Sequence, residues 1–254
     1  MLDGAAVTAS SIGLTEGIIL VGGLGTRLRP LTDTCPKPML PVGGVPLVER
    51  QMRRLRDIGV HRIVLATSYR AEVFREAYGT GAGLGLDLVY SFEHEPLGTG
   101  GAIRLAGDFL SEGCEQTVVL NGDILSAHDL AAQIRQHADA GAAATLHTRN
   151  VELAEVARFG TVLTEEGRIT GFLEKHPDPL TSTINAGCYV FSQSALAAIP
   201  RNRVVSVERD TFPTLISSGA SVMAYDEQAY WIDVGTLETY RQADEDFSDD
   251  PVSA

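Results

Sequence analysis

The chain has 254 residues, of which 44% are apolar, and a formal net charge of −13 from 33 acidic and 20 basic residues. This length and composition suit one large buried core, and the negative charge argues against a nucleic-acid partner. Because the sequence has neither the roughly 18-residue apolar stretch of a membrane span nor a secretory signal pattern, we expect a cytoplasmic protein with no membrane partner.

The order of the predicted elements indicates an α/β fold. Short apolar runs predict strands, and segments with helical periodicity lie between them. The predicted strands are 18–21, 62–66, 87–91, 117–120 and 143–146, and the predicted helices lie around 47–56, 71–78, 101–105 and 130–138. This alternation predicts a Rossmann-like, mostly parallel central sheet. After about residue 150, segments 160–164 and 169–174 flank a Glu166-Gly167 turn, so antiparallel additions are expected there.

The chain is predicted to form one domain over residues 15–246, since no linker-like composition interrupts it. Residues 1–14 are small and polar, and residues 247–254 form an acidic tail, so both ends are expected to be frayed or disordered. The cysteines, Cys35, Cys114 and Cys188, lack metal-ligand spacing and are expected to be reduced thiols.

A glycine-rich segment, GGLGTRLR at 22–29, follows the first predicted strand. Its glycines allow a tight turn whose N–H groups approach phosphate oxygens, and Arg27 and Arg29 add guanidinium donors. Lys37 stands between two prolines, so we expect it on a stiff, extended backbone. Three glycines alone are equally typical of an ordinary strand-to-helix turn. The three added cations favour a phosphate site.

Two commoner glycine motifs do not fit this segment. A dinucleotide fingerprint needs a third glycine where Leu28 stands. A P-loop needs lysine directly after its last glycine, whereas Thr26 follows Gly25. These departures argue against a dehydrogenase and against a P-loop kinase or ATPase.

Two carboxylates stand alone among apolar residues: Asp123, after the strand at 117–120, and Asp233, in the run WIDVG at 231–235. Because ligands of open α/β sheets bind beyond the carboxyl ends of the strands, Asp123 is expected near the glycine-rich segment. A bound metal would remove the cost of burying an unpaired carboxylate. Spacing alone slightly favours an ordinary role for both, as caps of a following helix or turn.

The run GGLGTRLRPLT at 22–32, followed by PKPMLP at 36–41, resembles the signature of the sugar-1-phosphate nucleotidyltransferases. Val21 before the glycines resembles the GDP-mannose pyrophosphorylase branch, and the resemblance extends from about residue 17 to residue 244. It implies a GT-A-like nucleotidyltransferase fold and Mg²⁺ bound by Asp123 and Asp233. Many members of that branch continue into a left-handed β-helix, but no C-terminal β-helix is expected in this chain.

The resemblance assigns roles to three sets of residues. The catalytic set is Arg27, Lys37 and Asp123. The nucleotide-binding set is Leu20, Gly22, Gly23, Gly25, Thr26, Arg27, Glu93, Pro96, Gly98 and Thr99, in which Gly98 lets the nucleobase approach the backbone. The sugar-phosphate-binding set is Gly160, Glu174, Lys175, Asn185 and Gly187.

For some of these positions the residues also allow an interpretation that does not depend on the resemblance. Glu93 or Glu95 is expected to accept hydrogen bonds from the N1–H and N2–H₂ donors of guanine. Adjacent residues on a strand point to opposite faces, so Glu174 and Lys175, judged alone, look like a solvated pair. Ser206 begins a run similar to a helix start of the family, although an ordinary N-cap is the preferred interpretation.

The reaction that the resemblance implies joins an NTP and a sugar 1-phosphate into an NDP-sugar and pyrophosphate, by Mg²⁺-dependent in-line attack on the α-phosphate. GTP and mannose 1-phosphate are favoured. Alternatives are ATP, dTTP or UTP, an unusual heptose or cyclitol 1-phosphate such as valienol 1-phosphate, and, from a different class, a non-catalytic nucleotide-sugar sensor subunit. A phosphate nucleophile needs no general base, and the six histidines show no arrangement with a role. A homodimer is a candidate assembly, and the pathway is left open.

Overall fold

The computed structural model describes residues 13–23, 25–68 and 70–248. Most of the N-terminal segment 1–14, and the tail from residue 249 onward, lie outside the described residues. The strands are β1 (Thr15–Leu20), β2 (Pro41–Val42), β3 (Val45–Pro46), β4 (Arg62–Thr67), β5 (Asp87–Phe92), β6 (Gln116–Asn121), β7 (Ile124–Ser126), β8 (Ala144–Asn150), β9 (Gly160–Glu165), β10 (Arg168–Glu174), β11 (Thr183–Ser192), β12 (Val222–Asp226) and β13 (Trp231–Asp233). The α-helices are α1 (Leu47–Asp57), α2 (Ala71–Tyr78), α3 (Gly98–Gly107), α4 (Leu130–Asp139), α5 (Leu153–Val156), α6 (Gln193–Ala198), α7 (Phe212–Ser217) and α8 (Leu237–Asp246).

The architecture is α/β, built on a nine-stranded sheet in the order β5-β4-β1-β6-β11-β8-β12-β10-β9. Strands β5, β4, β1 and β6 pair in parallel, as do β8 and β12. The long strand β11 runs antiparallel between β6 and β8, and β9 and β10 form an antiparallel hairpin. The sheet is therefore parallel where the sequence alternates between strands and helices, and mixed in the second half.

The sheet carries a core on each face, because successive residues of a strand point to opposite sides. Ile18 packs into the core that contains Ile103 of α3, whereas its neighbour Ile19 packs into the core that contains Leu55 of α1 and Phe74 of α2. All five side chains are fully buried. Helices α1 and α3 thus hold β1 from both sides, and β1 ends at the glycine-rich segment.

A separate two-stranded ribbon, β7 with β13, lies outside the main sheet. It rests on a small cluster of buried residues that includes Val42, Leu125, Val234 and Ala243. Neither strand was predicted from the sequence. The two strands are three residues each, and their pairing joins segments about a hundred residues apart, which local patterns do not show.

All five predicted strands of the first half are present, with ends that differ by a few residues from the prediction. The predicted hairpin is also present, and its turn has positive φ at both Glu166 (50°) and Gly167 (77°), as a two-residue hairpin turn requires. Helix α3 begins at Gly98, three residues before the predicted start. Among the helices that the structure describes, none has the length and apolar character needed to cross a membrane.

Candidate functional site

A pocket of about 250 Å³ lies at the carboxyl ends of β1 and β6. The glycine-rich segment supplies one wall through Gly22, Gly23 and Gly25, and Arg27 lines it as well. Lys37, Asp123 and Gly235 line the rest, together with Thr26 and Leu28. The structure thus brings the predicted phosphate loop, both catalytic cations and one predicted metal ligand into one cavity.

The loop has its shape because of one glycine and one buried leucine. Gly25 adopts a left-handed conformation (φ 58°) before a 3₁₀ turn over Thr26–Leu28, and a Cβ there would lie 3.0 Å from the side chains of Lys37 and Thr32. The Thr32 hydroxyl donates to the Gly25 carbonyl at 2.8 Å. Leu28 is fully buried. Where a dinucleotide motif has glycine, this loop therefore has a large side chain that is buried from solvent.

The two arginines of the loop have different surroundings. A Cβ built on Gly235 would lie 3.3 Å from Nη2 of Arg27 and 3.1 Å from Oδ1 of Asp233, so all three residues meet at the pocket. Arg29 pairs instead with Asp33 at 3.2 Å, with a side chain 65% exposed. Arg27 is therefore the loop arginine that faces the site, and the prediction that Arg29 donates there is wrong.

Lys37 reaches the pocket from a turn and not from an extended arm. Pro36 is extended (ψ 140°), but Lys37 begins a 3₁₀ turn that ends at Met39. Backbone N–H groups of Met39 and Leu40 close that turn on the carbonyls of Pro36 and Lys37, at 2.8 and 3.0 Å. The prediction of extended backbone at Lys37 is therefore wrong, because these hydrogen bonds override the usual restriction on a residue before proline.

The β7–β13 ribbon brings the two predicted metal ligands together. Asp233 pairs in register with Ile124, the residue after Asp123, and the N–H of Val234 donates to the Asp123 carbonyl at 2.9 Å. Neither aspartate caps a helix: Asp129 is the N-cap of α4 and Thr236 that of α8. The ordinary capping role that spacing favoured is wrong for both.

The two aspartates lie close to the basic side chains of Lys37 and Arg27. Nζ of Lys37 lies 2.7 Å from Oδ2 of Asp123, and the two side chains are 11% and 39% exposed. Burial raises the pKa of Asp233, and the negative charge of Asp123 raises it further. The positive charges of Lys37 and Arg27 oppose that rise in pKa. Two neighbouring carboxylates repel each other unless a cation lies beside them or one of them is protonated, so a bound cation stabilises the ionised pair.

The carboxylate pair fits a hard divalent cation. Carboxylate oxygens are the ligands that Mg²⁺ prefers, and Mg²⁺ commonly takes one or two from protein and the others from water and substrate phosphates. Within the described part of the chain, no group of three or more His, Cys, Asp or Glu side chains could hold a metal. Two carboxylates beside a phosphate-sized pocket match a metal that arrives with a nucleotide.

The predicted base-binding segment starts after β5. Burial raises the pKa of the Glu93 carboxyl, and the Leu97 N–H that donates to its Oε2 at 3.1 Å partly offsets the rise. Glu95 and Pro96 are exposed. Glu93 is therefore a fixed, half-buried acceptor, whereas Glu95 extends into solvent.

Gly98 has a packing role that the sequence did not show. Its φ is 72°, and a Cβ there would lie 2.6 Å from the Val205 carbonyl oxygen. That carbonyl accepts from the N–H groups of Gly100 (2.8 Å) and Gly101 (3.2 Å), at the start of α3. Thr99 accepts from the Val207 N–H and donates to Glu208. The glycine-rich start of α3 is thus packed against residues 203–208.

Three residues of the predicted sugar-phosphate set, Gly160, Glu174 and Lys175, lie at the end of the β9–β10 hairpin. Gly160 pairs with Glu174, and a Cβ on Gly160 would lie 2.7 Å from Oε2 of Glu174. Lys175 follows in the left-handed region (φ 50°), and its Nζ lies 3.4 Å from Oε1 of Glu174. The two side chains therefore converge and do not point to opposite faces, because the strand ends at Glu174.

The Asn185–Gly187 turn forms a bulge in β11. Asn185 donates to the Tyr189 hydroxyl at 2.9 Å and accepts from the Gly187 N–H at 3.1 Å. Gly187 has φ 75°, and a Cβ there would lie 2.3 Å from Ile124 Cδ1. Nε1 of Trp231 donates to the Ala186 carbonyl at 2.9 Å. The turn is thereby fixed against the ribbon that contains Asp233 and directly follows Asp123.

The sequence indicated an N-cap at Ser206 but did not show the contacts of Glu208. Ser206 is indeed an N-cap, accepting from the Arg209 N–H at 3.1 Å, but Glu208 also accepts from the Ser206 and Thr99 hydroxyls at 2.8 Å each. Burial raises the pKa of Glu174, and Glu208 raises it further. The Ser-x-Glu spacing was the available signal. Glu208 therefore hydrogen-bonds to the predicted base-binding segment through Thr99 and lies close enough to the predicted sugar-binding hairpin to affect the charge of Glu174.

The histidines were also underestimated. His128 and His147 stack at 3.7 Å between ring centroids, and both are buried behind the ribbon. Burial lowers the pKa of His147 to about 4. Neither histidine lines the pocket described above. The stacked pair packs behind the ribbon, and no catalytic role is assigned to it.

The sequence matches the model of one known family, described as "Nucleotidyl transferase", over residues 16–250. It is 43% identical over 228 residues to the mannose-1-phosphate guanylyltransferase of Mycobacterium tuberculosis, covering 89% of this chain and 62% of that protein. Further curated relatives are matched over about 60% of their length. This chain thus spans less than two thirds of the relatives that it matches.

Solved structures share the fold. The crystal structure of HddC from Yersinia pseudotuberculosis complexed with GMP-PN superposes with a TM-score of 0.76 at 31% identity, covering 91% of this chain and 99% of that one. A putative glucose-1-phosphate thymidylyltransferase from Bacillus anthracis gives a TM-score of 0.81 at 24% identity, over 92% and 96% of the two chains. At that identity the second match supports the fold alone.

Proposed function

This chain belongs to the nucleotidyl transferase family, and we propose that it joins an NTP and a sugar 1-phosphate into an NDP-sugar with release of pyrophosphate. The sugar-phosphate oxygen attacks the α-phosphorus, a new P–O bond forms, and the bond between the α- and β-phosphates breaks. One observation carries this proposal. Arg27, Lys37 and Asp123 line the same small pocket as the glycine loop, at the carboxyl ends of parallel strands.

The residues of the chain supply positioning and charge in this proposal. The N–H groups of the glycine loop and the guanidinium of Arg27 bind the β- and γ-phosphates and stabilise the charge that develops on pyrophosphate. Lys37 leaves its carboxylate partner and binds the transferring phosphate. Lys175, next to Glu174 in the hairpin, binds the phosphate of the sugar. No protein nucleophile is required, because the attacking phosphate is already ionised.

The proposed cofactor is Mg²⁺, held by Asp123 and Asp233. When bound, it neutralises charge on the α-phosphate oxygens and so favours attack at phosphorus. The support for this proposal is the oxygen-only donor pair, together with the burial of Asp233 and the nearby negative charge of Asp123, which both raise the pKa of Asp233. Asp233 lies in β13 and Asp123 directly precedes β7, so the ribbon brings them close to each other before any nucleotide arrives.

We propose GTP as the nucleotide and mannose 1-phosphate as the sugar phosphate. The relative from Mycobacterium tuberculosis is named a mannose-1-phosphate guanylyltransferase, and the HddC crystal contains GMP-PN. Glu93 is a fixed carboxylate that can accept from two guanine donors, which adenine does not offer. Glu93 is therefore the proposed base-reading residue in preference to Glu95. A cytoplasmic location and a homodimer remain predictions.

The test is a matrix of GTP, ATP, dTTP and UTP against mannose, glucose, heptose and cyclitol 1-phosphates with Mg²⁺, followed by release of pyrophosphate. The proposal predicts release with GTP and mannose 1-phosphate above every other pair. Release with another pair only would correct the substrates and keep the reaction. Absence of release from all pairs would refute the enzymatic function and favour a nucleotide-sugar sensor.

A further inference from the structure

The turn that presents Asp123, residues 121–124, is held by hydrogen bonds from several directions. The N–H of Gly122 donates to the Leu20 carbonyl at 2.9 Å, which joins the turn to the end of β1. The carbonyl of Asp123 accepts from Val234 at 2.9 Å, which joins it to the strand that carries Asp233. These two anchors are backbone groups, so a side-chain substitution does not remove them.

Gln51 supplies a side-chain anchor for the same turn. Its Nε2 donates to the Asn121 carbonyl at 2.8 Å and to the Ile124 carbonyl at 2.6 Å, on either side of Asp123. An amide nitrogen has two hydrogens, and this geometry uses both. Because both neighbours are carbonyl acceptors, the orientation of the amide is fixed. Gln51 is 3% exposed, and its Oε1 has no hydrogen-bond partner among the described residues.

Helix α1 holds Gln51 firmly. Leu47, Met52 and Leu55 are fully buried, and Gln51 falls on this same apolar face of the helix. Burial of a polar side chain costs free energy unless it forms hydrogen bonds inside the protein, since an amide loses its contacts with water there. Because α1 is packed firmly, the amide group of Gln51 holds the backbone around Asp123 in a fixed position.

We propose that Gln51 is a positioning residue that sets where the Asp123 carboxylate stands relative to the triphosphate and its metal. The inference rests on the proposed function, since it assigns Asp123 to the metal. Groups that orient a metal ligand commonly change metal affinity or activity about 10–100-fold when they are removed. Gln51 does not line the pocket with the glycine loop, so its effect passes through the turn.

The chain offers a matched control in Gln133. It is fully buried, and its Nε2 donates to the carbonyls of Thr145 at 3.1 Å and Cys188 at 3.4 Å. Gln133 therefore joins β8 and β11 in the way that Gln51 joins the ends of the turn. Oε1 of Gln133 also lies 2.9 Å from Nε2 of His128, whose Nδ1 lies 2.8 Å from the Ser126 hydroxyl of β7. This contact reaches the end of the ribbon away from Asp233 and not the turn at 121–124. Replacement of either glutamine by leucine leaves two buried carbonyls without their donor. Only Gln51→Leu disturbs the carbonyls next to Asp123.

The experiment compares wild type, Gln51→Leu and Gln133→Leu by Mn²⁺ titration, followed by electron paramagnetic resonance, with and without a non-hydrolysable GTP analogue. Mn²⁺ takes the same oxygen ligands as Mg²⁺. For Gln51→Leu we expect about tenfold weaker Mn²⁺ binding in the presence of the analogue. Metal-free binding of the analogue should stay within about twofold of wild type, because the substitution does not touch Arg27 or the glycine loop, which are proposed to bind its phosphates.

Gln133→Leu should lower the melting temperature as Gln51→Leu does and leave Mn²⁺ affinity within about twofold of wild type. Gln51→Asn, which reaches one carbonyl, should give an intermediate Mn²⁺ affinity and serves if the leucine variant does not fold. Equal Mn²⁺ affinity in wild type and Gln51→Asn, or equal losses in the two leucine variants, would overturn the proposal. If wild type releases no pyrophosphate from any substrate pair, the proposed function fails, whereas the Mn²⁺ titration still decides the role of Gln51.

Discussion

Replacement of Lys37 by methionine should have opposite effects on metal binding and on catalysis. In the structure, Nζ of Lys37 occupies one oxygen of Asp123 at 2.7 Å, with the lysine side chain 11% exposed and the aspartate 39% exposed. A cation that binds Asp123 must compete with this ammonium group. Lys37 therefore acts as an internal counter-ion until a triphosphate offers it a new partner.

The magnitude follows from the exposure of the pair. Exposed ion pairs contribute about 0–1 kcal/mol and broken buried pairs about 3–5 kcal/mol, so this half-exposed pair should contribute about 1–2 kcal/mol. Because about 1.4 kcal/mol corresponds to a tenfold change, Mn²⁺ alone should bind Lys37→Met about 5–30-fold more tightly than wild type. The same variant should lose about 10²–10³ in kcat, since one donor to the reacting phosphate is gone.

The assay is Mn²⁺ titration without nucleotide, combined with steady-state release of pyrophosphate. Arg29→Met is the matched control, because Arg29 pairs with Asp33 at 3.2 Å and is 65% exposed. Arg29→Met should change neither quantity more than about twofold. Unchanged or weaker Mn²⁺ binding by Lys37→Met would refute the competition between Lys37 and the metal, and an undiminished kcat would refute the contact of Lys37 with the reacting phosphate.

Three further predictions concern the base, the sugar and the buried histidines. Glu93→Gln should reduce the preference for GTP over ATP by about tenfold, as loss of a charged acceptor costs about 1.5–3 kcal/mol, and an unchanged ratio of kcat/KM values would exclude Glu93. Gly160→Ala should raise KM for the sugar phosphate at unchanged KM for GTP, because the new Cβ would lie 2.7 Å from Glu174; equal changes in both KM values would contradict the assignment. Burial lowers the pKa of His147 to about 4, so only the unfolded chain takes up this proton between about pH 6.5 and pH 4. Stability is thus lost as the pH falls, by about 2 kcal/mol at pH 5 for this group. Urea unfolding at pH 7.5 and pH 5 should show a smaller loss in His147→Phe than in wild type, and equal losses would contradict the pKa shift.

The sequence predicted the parts of the molecule that depend on local patterns. The continuous apolar runs around Ile18 and Val64 belong to strands buried on both faces, and such runs stand out from the helices between them. The glycine loop, Lys37 and Asp123 were placed together because parallel strands end at one edge of a sheet. The pocket confirms that these residues converge.

The missed features depend on contacts between distant segments. Each strand of the β7–β13 ribbon is three residues long, which is too short for a periodic pattern to predict it. Lys175 turns back toward Glu174 because its φ is 50°, which a strand pattern does not predict. The Val205 carbonyl explains Gly98 only once both are seen in contact. Gln51 carried a signal, since a glutamine within the apolar stripe of α1 has to find hydrogen bonds inside the protein.

In the proposed site, Asp123 and Asp233 hold a metal against a triphosphate that is bound by the glycine loop. The most direct test of this arrangement is a crystal structure with Mn²⁺ and a non-hydrolysable GTP analogue, in which anomalous scattering locates the metal. We predict a peak bonded to oxygens of both Asp123 and Asp233, with the phosphates against residues 22–27. A metal away from these carboxylates, or a triphosphate bound outside the loop, would contradict this arrangement.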